Sequence, residues 1–318
     1  MENNKHILIT GGAGFIGMNL TNKLLEDGHT LTIWDNEYTS GKNNIETLKN
    51  YDLVNPKVTY EKVDVRYEKD IECDVIINLA CPASPVHYQK DPIYTWETSV
   101  LGIRNLLNLA EKNKAVILHA STSEIYGDPL SHPQEESYWG NVNPIGIRSC
   151  YDEGKRAAET LAMDYKRFRN VDSRLFRIFN TYGPYMQPDD GRVISNFCMQ
   201  IIKNEKLTVY GDGRQTRSFC YVTDLVDAIT ALMNLEKAPD GPINLGNQDE
   251  FTLMELIELL RKITGKKIET ENLPLPQDDP VRRKPDISKA IEVLGWQPKV
   301  SLEEGIQKTM DYFKTVSE

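Results

Sequence analysis

The feature that most constrains this chain is a glycine-rich turn near the N-terminus, between an apolar run and a helical pattern. Residues 6–10 are predicted to form a strand and residues 15–27 a helix, with Gly11 and Gly14 between them and Gly17 just inside the helix. Glycines at this spacing let the backbone turn tightly and approach a pyrophosphate at the N-terminus of the helix. Spacing alone is equally compatible with an ordinary tight turn, so the surrounding sequence has to decide.

An acidic residue after the second predicted strand favours the dinucleotide interpretation. Residues 30–34 have the pattern of that strand, and Asp35 follows it directly. A carboxylate in this place can accept hydrogen bonds from both ribose hydroxyls and repels a 2′-phosphate, so we expect NAD rather than NADP as the cofactor. A second acid, Asp64, ends the third predicted strand, where it could reach the adenine or simply belong to a turn.

The rest of the N-terminal half alternates short apolar runs with longer helical patterns. Strands that are apolar along their whole length are typical of a parallel sheet covered by helices on both faces. We therefore expect an α/β fold with a doubly wound, Rossmann-type parallel sheet. Further strands are predicted over residues 58–65, 75–79, 115–119 and 173–179, and further helices over residues 93–112 and 150–169.

The domain organisation is less regular beyond residue 180, where turns rich in glycine, proline and aspartate interrupt the pattern. We expect residues 1–180 to form the NAD-binding domain, joined again by part of residues 220–250. Residues 181–318 are expected to form mainly a smaller C-terminal α/β lid domain that binds the substrate. Helices are predicted there over residues 192–204, 223–236, 252–264 and 301–314.

Composition excludes several classes of partner. The 318 residues carry a formal net charge of −10 that is spread evenly along the chain, so no basic region is present for nucleic acid or an anionic membrane surface. The five cysteines and five histidines have no metal-binding or redox spacing, and we expect no metal site. No apolar stretch approaches the length of a membrane span. These observations favour a cytoplasmic protein in a reducing compartment.

A second motif indicates catalysis. Tyr151 and Lys155 are four residues apart on a predicted helix, so the ammonium can lie near the phenol and lower its pKa. A tyrosine of this kind can take the proton from a sugar hydroxyl while hydride leaves the same carbon. This spacing also arises by chance in many helices, but together with the glycine turn the pair becomes specific.

A polar segment follows the predicted strand over residues 115–119, at the end of the strand where ligands bind in open α/β sheets. Thr122 could share the hydroxyl proton with Tyr151, and Glu124 could serve as a second acid or base. The alternative is an ordinary serine-rich turn in which Glu124 is solvated.

The glycine turn, the Thr-Ser-Glu segment and the Tyr-x-x-x-Lys pair together resemble the extended short-chain dehydrogenase/reductase family acting on nucleotide sugars, part of the NAD-dependent epimerase/dehydratase superfamily. Within it the chain is similar, over nearly its whole length, to the members that decarboxylate UDP-glucuronate and form UDP-xylose. The most specific blocks of this similarity are residues 79–85, 138–146, 148–156, 177–184, 190–193 and 282–286.

This resemblance implies a reaction cycle. NAD oxidises the sugar 4-hydroxyl, the resulting ketone lets the ring carboxylate leave as carbon dioxide, and return of the hydride gives UDP-xylose and regenerates NAD. Related 4,6-dehydratases carry an aspartate where this chain has Ser123, which can instead donate a hydrogen bond to a substrate carboxylate. The resemblance also gives Glu124 a catalytic role and makes Arg283 a candidate to protonate or to hold the departing carboxylate. We expect the second role, because an arginine rarely gives up its proton.

Two alternatives to decarboxylation remain. One is a nucleotide-sugar 4,6-dehydratase or 4-epimerase, for example a dTDP-glucose 4,6-dehydratase. The other is a non-catalytic NAD-sensing protein, although such proteins tend to lose the tyrosine or the lysine that this chain retains.

The resemblance also implies the remaining contacts of a UDP-sugar substrate and of NAD. Substrate contacts are expected from Pro82, Ser123, Asn180, Arg217 and Arg283. Contacts with NAD are expected, besides the glycines, the acids, Tyr151 and Lys155, from Phe15, Ile16, Asn36, Tyr38, Thr39, Val65, Leu79, Cys81, Thr98, Ala120, Thr181 and Arg192.

The chain also departs from its relatives in places. Met18 stands where relatives usually have serine, and Glu97 stands where some have a lysine that reaches the substrate. An acid beside an anionic sugar nucleotide is unfavourable, so we expect no substrate role for Glu97. Because family members pair through the two helices near residues 93–112 and 150–169, we expect a homodimer, with a tetramer as the alternative.

Overall fold

The computed structural model describes residues 4–274 and 282–317. Its largest feature is a seven-stranded sheet, and three smaller sheets lie in the C-terminal part. The strands described are β1 (His6–Thr10), β2 (Thr30–Asp35), β3 (Val58–Lys62), β4 (Val75–Asn78), β5 (Val116–Thr122), β6 (Ser173–Ile178), β7 (Thr181–Tyr182), β8 (Leu207–Tyr210), β9 (Thr216–Ser218), β10 (Cys220–Tyr221), β11 (Ile243–Leu245), β12 (Glu250–Thr252), β13 (Thr270–Leu273) and β14 (Arg282–Arg283).

The large sheet has the strand order β11-β6-β5-β4-β1-β2-β3, and every pair within it is parallel. This arrangement confirms the predicted fold class. The helices described are α1 (Phe15–Glu26), α2 (Lys42–Val54), α3 (Pro85–Tyr88), α4 (Pro92–Glu97), α5 (Ile103–Asn113), α6 (Ser149–Arg169), α7 (Val193–Ile202), α8 (Val222–Met233), α9 (Leu253–Thr264), α10 (Ser288–Leu294) and α11 (Leu302–Ser317).

Alternate residues of the central strands pack on opposite faces of the sheet, as the geometry of a strand requires. In β1, Ile7 and Ile9 join the cluster that includes Leu225 of α8, whereas Leu8 joins the cluster that includes Leu106 of α5. Met18 is fully buried in the first of these clusters. The sheet therefore has a helical layer on each face, and Met18 belongs to the core.

A separate core lies in the C-terminal part, where α7, α9 and α11 pack around Phe197, Leu256 and Phe313. Strand β14 pairs in parallel with β9, which brings Arg283 opposite Arg217. The strand β11 lies at the edge of the large sheet beside β6, so the chain returns to the sheet after entering the C-terminal part.

Two predicted elements differ from the structure. The helix predicted over residues 93–112 is divided into α4 and α5 by a π-helical segment, Thr98–Gly102, which carries Thr98 at its start. A strand was predicted to continue to residue 65, but β3 ends at Lys62, because the Asp64 carboxylate accepts a hydrogen bond from the backbone N–H of Arg66 and forms a turn. None of the helices in the two described ranges is long and apolar enough to cross a membrane.

Candidate active site

A cleft opens at the carboxyl ends of the large sheet, where the strand order reverses between β1 and β4. This is where ligands bind in open α/β folds. Its larger cavity has a volume of about 510 Å³, and a smaller cavity of about 80 Å³ adjoins it through Gly11, Gly14, Thr39, Leu79 and Cys81, which line both. The larger cavity has the size expected for a bound small molecule.

The glycine turn forms the floor of the cleft at positions where other side chains would not fit. Gly11 has a φ of +71°, and a Cβ there would lie 2.8 Å from the backbone of Ala80. A Cβ on Gly17 would lie 2.5 Å from the Cα of Gly12, so the helix α1 can approach the turn only with glycine at this position. No side chain caps the N-terminus of α1, whose first N–H groups can therefore face an anion. The turn fits a dinucleotide pyrophosphate.

The smaller cavity is lined by an acid and by several side chains that can form hydrogen bonds. The Asp35 carboxylate lies at its wall, fixed by hydrogen bonds from the Ala13 N–H (3.0 Å) and the Ser40 hydroxyl (2.9 Å). Burial raises the pKa of Asp35, although these hydrogen bonds oppose the shift. The other predicted residues that line this cavity are Asn36, Tyr38, Val65, Pro82 and Thr98. Pro82, expected at the substrate, thus lies among the residues expected to bind NAD.

Asp64 is not among the residues that line either cavity. Its carboxylate instead accepts hydrogen bonds from the Arg66 guanidinium and from the Asn36 amide, which lowers the pKa of Asp64 against the effect of burial. Arg66 also donates to Glu97 at 2.8 Å. Asp64 therefore meets the smaller cavity only through Asn36. Glu97 is paired with Arg66 and does not line the cleft.

Tyr151 lies in the larger cavity, buried and stacked on Tyr88 with ring centroids 4.9 Å apart. Burial is the largest influence on its pKa and raises it, while the neighbouring Thr122 hydroxyl lowers it. Lys155 donates its ammonium hydrogen to the Ala120 carbonyl at 2.8 Å and lies 6.0 Å from the Tyr151 ring centroid. The predicted lowering of the Tyr151 pKa is therefore wrong for the chain by itself, because burial dominates and Lys155 is not among the main influences.

Glu124 lies between two arginines in the same cavity. Arg283 donates to both carboxylate oxygens, at 2.7 and 2.8 Å, and Arg148 donates to one of them at 2.9 Å. Burial favours a neutral Glu124, but the two guanidinium groups outweigh it and lower the pKa of Glu124. Glu124 is thus a mostly buried carboxylate paired with two arginines, not the solvated side chain that the alternative interpretation described.

Arg148 was not among the predicted site residues, although it stands in one of the specific sequence blocks, three residues before Tyr151. Its side chain is buried and lines the larger cavity. The available signal was an arginine at the start of the helix that carries Tyr151 and Lys155. That this arginine is buried could not be inferred from one sequence.

The remaining predicted residues all line the larger cavity. Arg192 is held by Asp190, with a distance of 2.7 Å between its Nη2 atom and the carboxylate, and Arg217 donates to the Thr216 carbonyl at 2.8 Å. Sequence reasoning missed Gln187, which lines the cavity and donates to the Thr39 carbonyl across the cleft. The predicted lining residues not yet placed are Phe15, Ile16, Ser123, Asn180 and Thr181.

Comparison with known proteins identifies the family. A family model described as GDP-mannose 4,6 dehydratase matches residues 8–309. The chain belongs to that family, within the extended short-chain dehydrogenase/reductases. This confirms the resemblance found in the sequence.

Curated members of this family are similar over nearly the whole chain. UDP-glucuronic acid decarboxylase 1 of Arabidopsis thaliana is 52% identical over 308 residues, which are 97% of this chain and 69% of that protein. UDP-glucuronic acid decarboxylase 5 of the same plant is 52% identical over 98% of this chain and 90% of its own length. UDP-glucuronic acid decarboxylase 1 of Xenopus tropicalis is 50% identical over 98% of this chain and 73% of its own length.

Solved structures of the family share the fold. UDP-glucose 4-epimerase from Thermotoga maritima, with UDP-glucose, superposes with a TM-score of 0.88 at 29% identity and covers 98% of this chain and 100% of that chain. UDP-glucuronic acid 4-epimerase from Bacillus cereus, in complex with UDP-glucuronic acid and NAD, gives a TM-score of 0.87 at 28% identity and covers 98% and 99%.

Proposed function

We propose that this chain decarboxylates UDP-glucuronate to UDP-xylose through a 4-keto intermediate, with NAD as a cofactor regenerated in each turnover. The observation that carries the proposal is the pairing of Glu124 with Arg148 and Arg283, because it places two guanidinium groups in the same cleft as Tyr151. Guanidinium groups are suited to holding a carboxylate. Relatives named as UDP-glucuronic acid decarboxylases at about 50% identity support the same reaction.

NAD, when bound, supplies the redox chemistry by accepting a hydride from the sugar C4 and returning it later. The glycine turn would hold its pyrophosphate, and Asp35 would accept hydrogen bonds from its adenosine ribose. Lys155 and Arg192 would add positive charge along the larger cavity. The remaining predicted NAD contacts lie on the walls of the two cavities, apart from Asp64, whose contact would be indirect.

Tyr151 would take the proton of the sugar 4-hydroxyl. Because burial raises the pKa of Tyr151, its phenolate needs nearby donors and positive charge. The Thr122 hydroxyl would supply a hydrogen bond, and Lys155, which is buried on the same face of α6, would supply a cation. Thr122 would also share the proton as it moves between the substrate and Tyr151.

The wall formed by Ser123, Glu124 and Arg283 would act on the carboxylate. Ser123 would donate a hydrogen bond to it, and Arg283, which keeps its proton, would stabilise its charge. Once C4 is a ketone, the carbon–carbon bond breaks and its electron pair moves into the enolate, which is then protonated at C5. Glu124, held as an anion, would position water for that protonation.

Purified protein incubated with NAD and UDP-glucuronate is expected to release carbon dioxide and a UDP-pentose in equal amounts, without accumulation of NADH. Trapped carbon dioxide and chromatography of the nucleotide sugars measure both products. An inert mixture with NAD confirmed bound would contradict the proposal. So would formation of the 4-epimer of UDP-glucuronate, or of a 4-keto product from dTDP-glucose, which would indicate an epimerase or a dehydratase.

Gly17→Ala is expected to weaken NAD binding at least about tenfold, because its Cβ would meet the backbone of Gly12 at 2.5 Å and displace α1 from the pyrophosphate. Titration of NAD against the purified variant measures the effect. Gly28→Ala is a suitable control: Gly28 has a φ of +89° but no atom within 4 Å of its Cβ position. We expect that variant to lose some stability and to keep its NAD affinity, and equal NAD binding by both variants would contradict the prediction.

We infer further that the protein is a cytoplasmic homodimer. Its five cysteines are all free thiols, which suits a reducing compartment. Ile93 and Trp96 of α4 expose 73% and 43% of their surface beside α6, as expected of a dimer face. Residues 1–180 with α8 and β11 would form the NAD-binding domain, and residues 181–318 would otherwise form the nucleotide-sugar domain. Light scattering of the purified protein distinguishes a dimer from a monomer or tetramer.

A further inference from the structure

Asp152 is a buried acid near the active-site arginines, and the proposed chemistry does not use this acid. It follows Tyr151 in the first turn of α6 and is only 7% exposed. Its Oδ1 oxygen is buried and accepts no hydrogen bond from the residues that the structure describes. Buried polar atoms are almost always paired, so an exception within an active site asks for a functional reason.

The groups around Asp152 come from several elements that meet at the larger cavity. Burial is the largest influence on Asp152, and together with the carboxylates it outweighs the arginines, so that its pKa is raised to about 8. Asp152 interacts electrostatically with several titratable or charged groups in the described part of the chain. They are Glu124, Arg148, Arg283, Glu153, Tyr88 and Cys150.

The charge of Asp152 matters because of what the cluster has to bind. Arg148 and Arg283 both pair with Glu124, whose negative charge offsets part of their positive charge. The two arginines therefore attract an incoming carboxylate less strongly than they would without Glu124. Ionisation of Asp152 would lower the charge of this cluster by one further unit. Asp152 lies one helical turn after Arg148, with its backbone N–H donating to the Arg148 carbonyl at 3.1 Å. One unit of charge on Asp152 therefore changes the affinity of the cluster for an anion.

We infer that Asp152 controls the net charge of the cluster formed by Arg148, Arg283 and Glu124. As a neutral acid, it leaves the two arginines able to accept the carboxylate of the substrate. The inference rests on the proposed function and adds to it a residue that determines selectivity for a carboxylated sugar. Asp152 does not line the cavity, so it acts through Arg283, Arg148 and Glu124 and is a positioning residue. It favours UDP-glucuronate over UDP-xylose only while it remains neutral.

Two ligands that differ in the carboxylate test this inference. UDP-glucuronate and UDP-xylose share the UDP group, so a titration that acts on the UDP group or on NAD affects both ligands alike. In the NAD-loaded Tyr151→Phe protein, in which turnover is blocked, we expect the dissociation constant of UDP-glucuronate to rise about tenfold between pH 7 and pH 9. The dissociation constant of UDP-xylose should stay nearly constant. An equal rise for both ligands, or no rise for either, would overturn the inference.

Adding Asp152→Asn is expected to abolish the difference in pH dependence between the two ligands, because the amide has the shape of the acid and cannot ionise. Asp164→Asn on the same helix is the matched control; Asp164 pairs with Arg167 at the surface, and its variant should keep the tenfold rise. An unchanged rise in Asp152→Asn would overturn the inference. If that variant does not fold, the comparison of the two ligands with Asp152 intact still decides.

Failure of this inference is distinguishable from failure of the proposed function. Absence of carbon dioxide release by the protein with Tyr151 and Asp152 intact contradicts the proposed reaction. Normal release of carbon dioxide, together with affinities for the two ligands that do not diverge as the pH rises, contradicts only the role of Asp152.

Discussion

Tyr151→Phe is expected to lower kcat for decarboxylation of UDP-glucuronate by about 10²- to 10⁴-fold, the range over which one general acid or base contributes. The substitution removes the oxygen that would take the 4-hydroxyl proton and keeps the ring that stacks on Tyr88 at 4.9 Å. NAD and UDP-glucuronate should therefore still bind. Initial rates of carbon dioxide release, together with titrations of both ligands, measure these effects.

Tyr165→Phe is the matched control for this variant. Tyr165 lies on the same helix, is buried, and donates its hydroxyl to Asn108 at 2.6 Å outside the cleft. We expect this variant to lose some stability through the lost hydrogen bond and to keep its rate. A Tyr151→Phe enzyme that is as active as the Tyr165→Phe enzyme would remove Tyr151 from the mechanism.

The parts of the site that adjoin the glycine turn and the strand ends could be predicted from the sequence. Local spacing determines them: Gly11 must turn with positive φ, Asp35 must end β2, and Tyr151 and Lys155 must share a face of α6. Parallel strands end at a common edge, which is why residues distant in sequence were expected in one cleft.

The electrostatics of the site could not be predicted in this way. Glu124 and Arg283 are 159 residues apart, and their pairing depends on β14 lying beside β9. The pKa of Tyr151 was expected to fall because Lys155 is near in sequence, but burial, which one sequence does not show, raises it. The role of Asp152 is invisible for the same reason, since it stands in the sequence as one more polar residue of a helix.

Arg283→Lys is expected to lower the rate of carbon dioxide release by about 10²- to 10³-fold, comparable to the loss of one donor that stabilises developing charge. Lysine cannot make the two parallel hydrogen bonds that Arg283 makes to Glu124 at 2.7 and 2.8 Å, so neither Glu124 nor a substrate carboxylate would be held in place. Oxidation at C4 depends on Tyr151 instead. In a single turnover, NADH should therefore still form and should accumulate ahead of carbon dioxide.

Arg177→Lys separates this effect from a general loss of stability. Arg177 is buried to a similar degree and contacts both oxygens of Glu159, at 2.9 and 2.7 Å, but it does not line the cleft. Both variants should lose stability, because each weakens a buried ion pair, whereas only Arg283→Lys should uncouple NADH formation from carbon dioxide release. If Arg283→Lys slows both steps equally, Arg283 acts before C4 oxidation, in seating the substrate, and not on the loss of carbon dioxide. A group that only stabilises the loss of carbon dioxide cannot slow the step that precedes it.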